Sequence, residues 1–457
     1  MNQRPHLDRG MGLLAATATN VIAMVGVGPF LVIPLMLTTM NGPHIIYAWI
    51  VGALLAMCDG LVYAQLGAAL PGSGGPYLYL REAYQPLRLG RLLAFVYICQ
   101  IILVAPLSIA GGAVGFADYL QFYWTAMTPL EHSAIAAMVC VAMTLLLYRD
   151  IASVGRLAVV MLVVVLATVG WVISAGLIGS SMRLAFTFPP EAYRFDRDLL
   201  VKVGATSVLA MYSYGGYNQV CSIGEEIRTP ERTVPRSILL SILAVALVYI
   251  VMSSAIVGLV PWREAAGTHT IASVFIERTF ADPAAGHSAA IAMTALILFI
   301  AAASLYALIL GYSRVPFAAA RDGDFFKVFA RVHPTKHFPH VALLTIGAVS
   351  LPFCLFSLGQ LVNWLMQVQI LTIFVWQCAG VLLLRRYRRD LHQPFTMWLY
   401  PIPALVALVM WVYVYATGPT AGITFSIGFL AASVALYFAF TRRTDVRTFN
   451  RGERGDR

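Results

Sequence analysis

Charge is scarce in this sequence. Asp, Glu, Lys and Arg make up 11% of its 457 residues, where a soluble domain carries roughly 25%. That shortage excludes an ordinary water-soluble domain. Paired cysteines are missing too. Cys58, Cys99, Cys140, Cys221, Cys354 and Cys378 all lie in apolar runs, with no CxxC and none in a loop suited to a disulfide or a zinc cluster. There is no HExxH and no GxSxG, and the nine histidines fall in tails, loops or span edges. A membrane-embedded metalloprotease or serine hydrolase is therefore disfavoured, and the chain reads as a non-enzyme without metal or cofactor. The GSGG at 72–75 follows an apolar run, no lysine comes next and no βαβ unit surrounds it, so it is not a phosphate loop. No small-residue cleavage site follows MNQRPHLDRG, so no cleavable signal peptide is expected. Low-complexity sequence is absent.

Apolar sequence is abundant instead: 60% of residues are hydrophobic and the mean hydropathy is +0.78. Runs near 20 residues recur, which predicts an all-α polytopic membrane protein. Twelve transmembrane helices are expected, at about 13–40, 44–70, 88–120, 133–148, 153–179, 199–222, 235–260, 288–316, 340–357, 360–384, 397–416 and 420–441. Of the 31 Lys and Arg residues, 25 fall in the tails and even-numbered loops; the others are Arg183, Arg194, Arg197, Lys202, Arg263 and Arg278. The positive-inside rule then puts both termini in the cytoplasm of a cell bounded by this membrane. The net charge of +10 is explained by those loops and does not imply nucleic acid. RRYRRD at 385–390 fits an inner-leaflet anchor. The connections 180–198 and 261–287 read as external loops with room for short surface helices, and the tail after Thr441 as unstructured.

Span 1 carries NVIAMVGVGPFLVIPL at 20–35, interrupted by Gly26, Gly28 and Pro29. Span 6 carries VLAMYSYGGYNQVCSIGEE at 208–226, interrupted at Gly215 and Gly216. One such break fits either a packed kink or a ligand site. Two breaks at matching places in two halves point to an inverted-repeat transporter. A broken helix exposes N–H groups at one new end and C=O groups at the other, and lipid satisfies neither. A zwitterion satisfies both. Pro29 suits the first position of a second half-helix, leaving the amides of Val27, Gly28 and then Phe30 near an anion site.

These segments resemble the amino acid–polyamine–organocation (APC) superfamily. GVGPF at 26–30 is similar to its GSGIF motif, and YAQLGAALPGSGGPYLYLREAY at 63–84 to its span 2–3 connection. YSYGGYNQVCSIGEEIRTPERTVPRSI at 212–238 is similar to the helix 6 signature of the L-type amino acid transporter branch and its bacterial relatives. AAARDGDFFKVFARVHPTKHFPHVALL at 318–344 is similar to the loop after span 8. The resemblance covers about 10 to 440. It implies a 5+5 inverted repeat with broken helices 1 and 6, plus two C-terminal helices. The chain then divides into a cytoplasmic tail (1–12), a transport core (13–384), spans 11 and 12 (397–441) and a cytoplasmic tail (442–457). It also implies a substrate carboxylate on the backbone of Gly26, Val27 and Gly28, and an ammonium on the carbonyls of Met24 and Tyr212. Tyr212 would cover the substrate as a gate, Gly215 would leave room for its side chain, and Asn218 would hold the segment open.

The departures matter. Val27 stands for serine and Pro29 for isoleucine, and GPF also occurs in polyamine permeases of the superfamily. Many coupled relatives place a lysine nine positions after an arginine in span 5; here Arg156 is followed at that distance by Val165. The outer loop between spans 3 and 4 has no cysteine, so no disulfide-linked partner subunit is implied.

Asp59, in ALLAMCDGLVYAQL, is the clearest acid inside a span. A charge there costs about 2.5–3.5 kcal/mol on insertion scales. It reads equally as a proton-coupling site or as a hydrogen-bonded structural acid, and less well as an ammonium partner. Ser304 of span 8 is a candidate to face the first break, though a packing role fits it as well. Glu225 and Glu226 are candidates to close a cytoplasmic gate with Arg9 or Arg156, or form a solvated helix end. Gln100, Asn363, Gln367 and Gln369 read mainly as interhelical hydrogen bonds. The function expected is secondary transport of L-amino acids, neutral ones because no charged partner lies in spans 1, 3, 6, 8 or 10, with H+ or Na+ as the coupling ion. A polyamine or organic-cation permease and a transport-silent amino-acid receptor are the alternatives. A channel is disfavoured, since no repeated filter residues occur.

Overall fold

A computed structural model describes residues 11–71, 75–148, 154–179, 185–222, 224, 227–321, 325–334, 338–388 and 391–452. Among them all regular structure is helical, apart from one parallel bridge between Met11 and Ile227. The first half runs α1 (Leu13–Met24), α2 (Gly28–Met40), α3 (Ile46–Ala69), α4 (Pro76–Ala83), α5 (Gly90–Leu120), α6 (Pro129–Leu146) and α7 (Val154–Gly179). Then follow α8 (Arg197–Tyr214), α9 (Pro230–Val257), α10 (Trp262–Gly267), α11 (Ile271–Arg278) and α12 (Pro283–Arg321). The chain closes with α13 (His340–Ser350), α14 (Leu358–Gln369), α15 (Val375–Tyr387), α16 (Ile402–Ala416) and α17 (Thr420–Gly452).

Local chemistry sets several ends. Thr128 and Glu131 form a capping box at α6, with Thr128 N–H donating to the Glu131 carboxylate at 2.8 Å. Ser357 and Gln360 do the same at α14. Asn41, left-handed at φ 53°, ends α2; Gly42 N–H reaches back to Leu37 at 3.3 Å, the Schellman arrangement.

Among the described residues, seven helices are long and apolar enough to cross a bilayer, and the bent pair α1–α2 makes an eighth. Val163–Gly179, His340–Leu355 and Ile402–Ala416 are shorter apolar helices. The sixth expected span, α8, is less apolar because Arg197, Asp198 and Lys202 occupy its first turns, and it stops at a break. Only 17% of the apolar stretch of α6 and 11% of that of α17 is buried. Leu177, Leu243, Leu247 and Val409 are exposed as well. Apolar surface on that scale needs lipid rather than water.

The most extensive packing joins α3 with α9 and α5 with α12; α1 also packs on α9, α8 on α3, and α14 and α6 on α5. Three expectations change. First, α11 is no surface helix, because Ile271, Phe275 and Ile276 are fully buried; an Arg278–Glu264 pair at 2.6 Å ties it to α10. Second, α17 continues past Thr441 to Gly452, since no glycine or proline stops it before that residue. Third, the 385–388 arginines are engaged by protein as well as placed for lipid: Arg388 meets Glu82 at 3.0 Å, and Arg385 lies 3.9 Å over the Tyr400 ring.

Candidate functional site

The first break is short and sharp. After Met24 the backbone leaves the helix, and α2 resumes at Gly28 with the axis turned by 47°. Val25 N–H still reaches Val21 at 2.7 Å, and Gly26 N–H folds back on Met24 at 3.2 Å. Pro29 sits at the start of α2, where its missing N–H is harmless. Among the described residues the amides of Val27 and Gly28 donate to no protein acceptor. They stand at the positive end of the α2 dipole.

The second break follows Tyr214. Gly215 N–H bonds the Tyr212 carbonyl at 3.3 Å, and Gly216 adopts φ +112°. A short 3-10 turn, Gln219–Ser222, continues the chain. The two breaks touch: a Cβ on Gly216 would lie 2.8 Å from the carbonyl carbon of Ala23. Val220 N–H donates to Asn20 Oδ1 at 2.9 Å, so a side chain of α1 satisfies an amide that the second break leaves open. Tyr249 of α9 is fully buried, and its hydroxyl lies 2.8 Å from the Met24 carbonyl and 3.2 Å from that of Ser213. One hydroxyl thus spans the carbonyl ends of α1 and α8. Both ends carry negative partial charge, opposite the amide end of α2.

The predicted residues gather here. A Cβ on Gly28 would sit 3.6 Å from Tyr212 Cε1, and one on Gly26 would sit 3.6 Å from Ser304 Oγ. Tyr212 therefore edges the amide end, and Ser304 of α12 faces the break. Gly215 is exposed, and Asn218 is half-buried with its carbonyl accepting from Cys221 N–H at 3.0 Å. The Met24 carbonyl already accepts from both Gly26 and Tyr249, while among the described residues that of Tyr212 accepts from Gly215 alone. Of the two carbonyls expected to meet an ammonium, Tyr212 is the more open in this state. Glu225 and Glu226, and the Arg9 and Arg156 side chains paired with them in the gate reading, lie outside what is described.

Asp59 is fully buried, in contact with Tyr217 of the second break. Its Oδ2 accepts a short bond from the Tyr217 hydroxyl. Its Oδ1 accepts from Trp411 Nε1 at 3.2 Å and Cys378 Sγ at 3.4 Å. Of Gln100, Asn363, Gln367 and Gln369, none shows the expected interhelical hydrogen bond among the described residues, and buried Gln100 Oε1 has no partner there. Asn363 bonds Gly359 of its own helix at 2.7 Å, and the buried Gln367 amide has no partner among the described residues.

Asn20, Tyr217 and Tyr249 escape sequence reasoning. Asn20 opens the interrupted stretch of span 1 and is polar in an apolar run, a signal that was available. Tyr249, in LVYIVMSS, looks like any packing tyrosine.

Comparison with known proteins identifies the family. The family model described as amino acid permease matches residues 11–440. The branched-chain amino acid permease BcaP of Bacillus subtilis is 25% identical over 459 residues, 96% of this chain and 94% of the relative. An uncharacterized transporter of Mycobacterium tuberculosis is 30% identical over 347 residues, 75% of this chain and 73% of the relative. The cystine/glutamate transporter of Homo sapiens is 24% identical over 410 residues, 88% of this chain and 79% of the relative. A helical, lipid-exposed chain with a family match this long is a membrane transporter and no enzyme: it belongs to the amino acid permease family of the APC superfamily.

Proposed function

We propose that the protein is a secondary transporter moving amino acids, neutral ones above all, across the cytoplasmic membrane by alternating access. The observation that carries this is the pair of amides at Val27 and Gly28 without an acceptor among the described residues, a few residues past the carbonyl end of α1, which the Tyr249 hydroxyl joins to that of α8. That arrangement complements a carboxylate and an ammonium on one carbon. Gly26, Val27 and Gly28 take the carboxylate, Tyr212 and Met24 take the ammonium by their carbonyls, and the Tyr212 ring covers the ligand. Gly215 leaves space for its side chain and Asn218 keeps the segment open. Among the described residues the charged side chain that bonds to a break is Asp59, through Tyr217, and its oxygens are already taken by three donors, which favours an uncharged substrate side chain.

The rest of the reading follows the superfamily. Twelve spans form an inverted repeat over 13–384 and a pair over 397–441, with both tails cytoplasmic, as the Lys and Arg distribution supports. The group around α1, α2, α3, α8 and α9 rocks against the rest about a midplane site. BcaP, by its name a branched-chain permease, makes leucine, isoleucine and valine the first substrates to test. A polyamine fits less well. It has no carboxylate for the amides, and Asp59 already accepts three donors.

The test is counterflow of labelled amino acids and putrescine into proteoliposomes. Saturable exchange of a neutral amino acid is expected. Exchange of putrescine alone contradicts the substrate, and binding without exchange turns the protein into a receptor.

A further inference from the structure

Asp59 is the one acid fully buried inside a span among the described residues, and its surroundings are unusual. The elements packed around α3 bring it no cation. α9 presents Ile238 and Ile242 at neighbouring Gly60, and α8 presents Ala210 and Tyr214 one face away at Gly52. α15 presents Cys378, α16 presents Trp411, and the second break presents Tyr217. The titratable neighbours are the Tyr217 and Tyr63 phenols and the Cys58 and Cys378 thiols. No lysine, arginine, histidine or second acid contacts it among the described residues.

The two carboxyl oxygens differ. An indole N–H can only donate, and Trp411 is held by stacking on Phe374, with centroids 4.3 Å apart and planes 4° apart. Phe374 ends a π turn, Ile370–Phe374, a distortion frequent at functional sites. Oδ1 therefore keeps a fixed donor. Oδ2 faces the Tyr217 hydroxyl, which can donate or accept. A proton arriving on Oδ2 needs only that hydroxyl to rotate from donor to acceptor. Tyr217 lies between Gly216 and Asn218 in the second break, and its ring meets Tyr63 edge-on at 5.9 Å. The state of Oδ2 is thus felt directly in the segment that crosses Ala23.

We infer that Asp59 Oδ2 is the proton-binding site that couples transport, with Tyr217 relaying its state to the broken segment of helix 6. The step is proton uptake: carboxylate plus H+ from the outer solution gives the carboxylic acid, and the proton leaves to the cytoplasm later in the cycle. The inference rests on the transport reading above and assigns its driving ion. An acid in this setting is otherwise a rarity inside a membrane.

The experiment uses the full chain in proteoliposomes with labelled leucine and an internal pH-sensitive dye. Wild type should acidify the lumen only when leucine is added. An inward gradient of about one pH unit should support about tenfold accumulation if one proton moves per substrate. Asp59→Asn should still exchange leucine, more slowly, but equilibrate rather than accumulate, with no leucine-dependent acidification. Tyr217→Phe should keep exchange and change the pH profile of uptake. Accumulation by Asp59→Asn at the wild-type level, an unchanged profile in Tyr217→Phe, or uptake driven by sodium without proton movement overturns the inference alone. Loss of exchange in both variants while each remains monodisperse also overturns it, in favour of a purely structural carboxyl. Absence of wild-type exchange removes the transport reading, and the inference with it.

Discussion

Gly216 and Ala23 meet where the two broken helices cross. Any Cβ on Gly216 would stand 2.8 Å from the Ala23 carbonyl carbon, and the φ of +112° is one that L side chains rarely adopt. Contact and conformation therefore demand glycine at the same position. Gly216→Ala should lower stability by about 1–3 kcal/mol and abolish exchange. Gly311→Ala, in open space within α12, is the control and should leave both unchanged. Thermal unfolding in detergent and counterflow read the pair; equal behaviour of the two variants contradicts the crossing.

Gly28 gives a graded test of the amide end. A Cβ there would make an ordinary 3.6 Å contact with Tyr212, so Gly28→Ala should fold and bind more weakly. Gly28→Leu should fill the space under the Tyr212 ring and abolish binding. Scintillation proximity binding of labelled leucine measures both, and wild-type affinity in the leucine variant contradicts the placement.

Tyr249→Phe removes the donor shared by the Met24 and Ser213 carbonyls. The Met24 carbonyl keeps its bond from Gly26 N–H, but a buried acceptor left unsatisfied at Ser213 costs about 1–3 kcal/mol, so the unfolding temperature should drop. Asn20→Leu should have a comparable effect by orphaning Val220 N–H. Unchanged unfolding in both would mean that these bonds do not hold the breaks.

Much of this was legible because membrane physics narrows the choices. A glycine or proline inside an apolar run is conspicuous, so both breaks, and the residues flanking them, follow from the sequence. What holds the breaks does not. The contact of Gly216 with Ala23 is tertiary, and Tyr249 sits in an apolar run where a packing tyrosine would look identical. The span count is less legible than the breaks. Charged residues at the start of α8 and the shortness of α13 and α16 leave those helices below the length or hydropathy that identifies a crossing. The π turn before α15 carries no compositional signal.

The proposed orientation rests on the Lys and Arg distribution and is checked separately. Epitope tags at either end should be protected from protease in intact cells and cleaved in inverted vesicles. Protease access to either tag from outside contradicts the cytoplasmic placement of the tails.

The most direct measurement is competition against labelled leucine bound to the purified protein, using leucine, leucine methyl ester and isopentylamine. If the Val27 and Gly28 amides hold a carboxylate, only leucine should compete at its own binding concentration. Esterifying or deleting the carboxylate should weaken competition by tenfold or more, about 1.4 kcal/mol. Equal competition by the ester or the amine would contradict a carboxylate site at the first break.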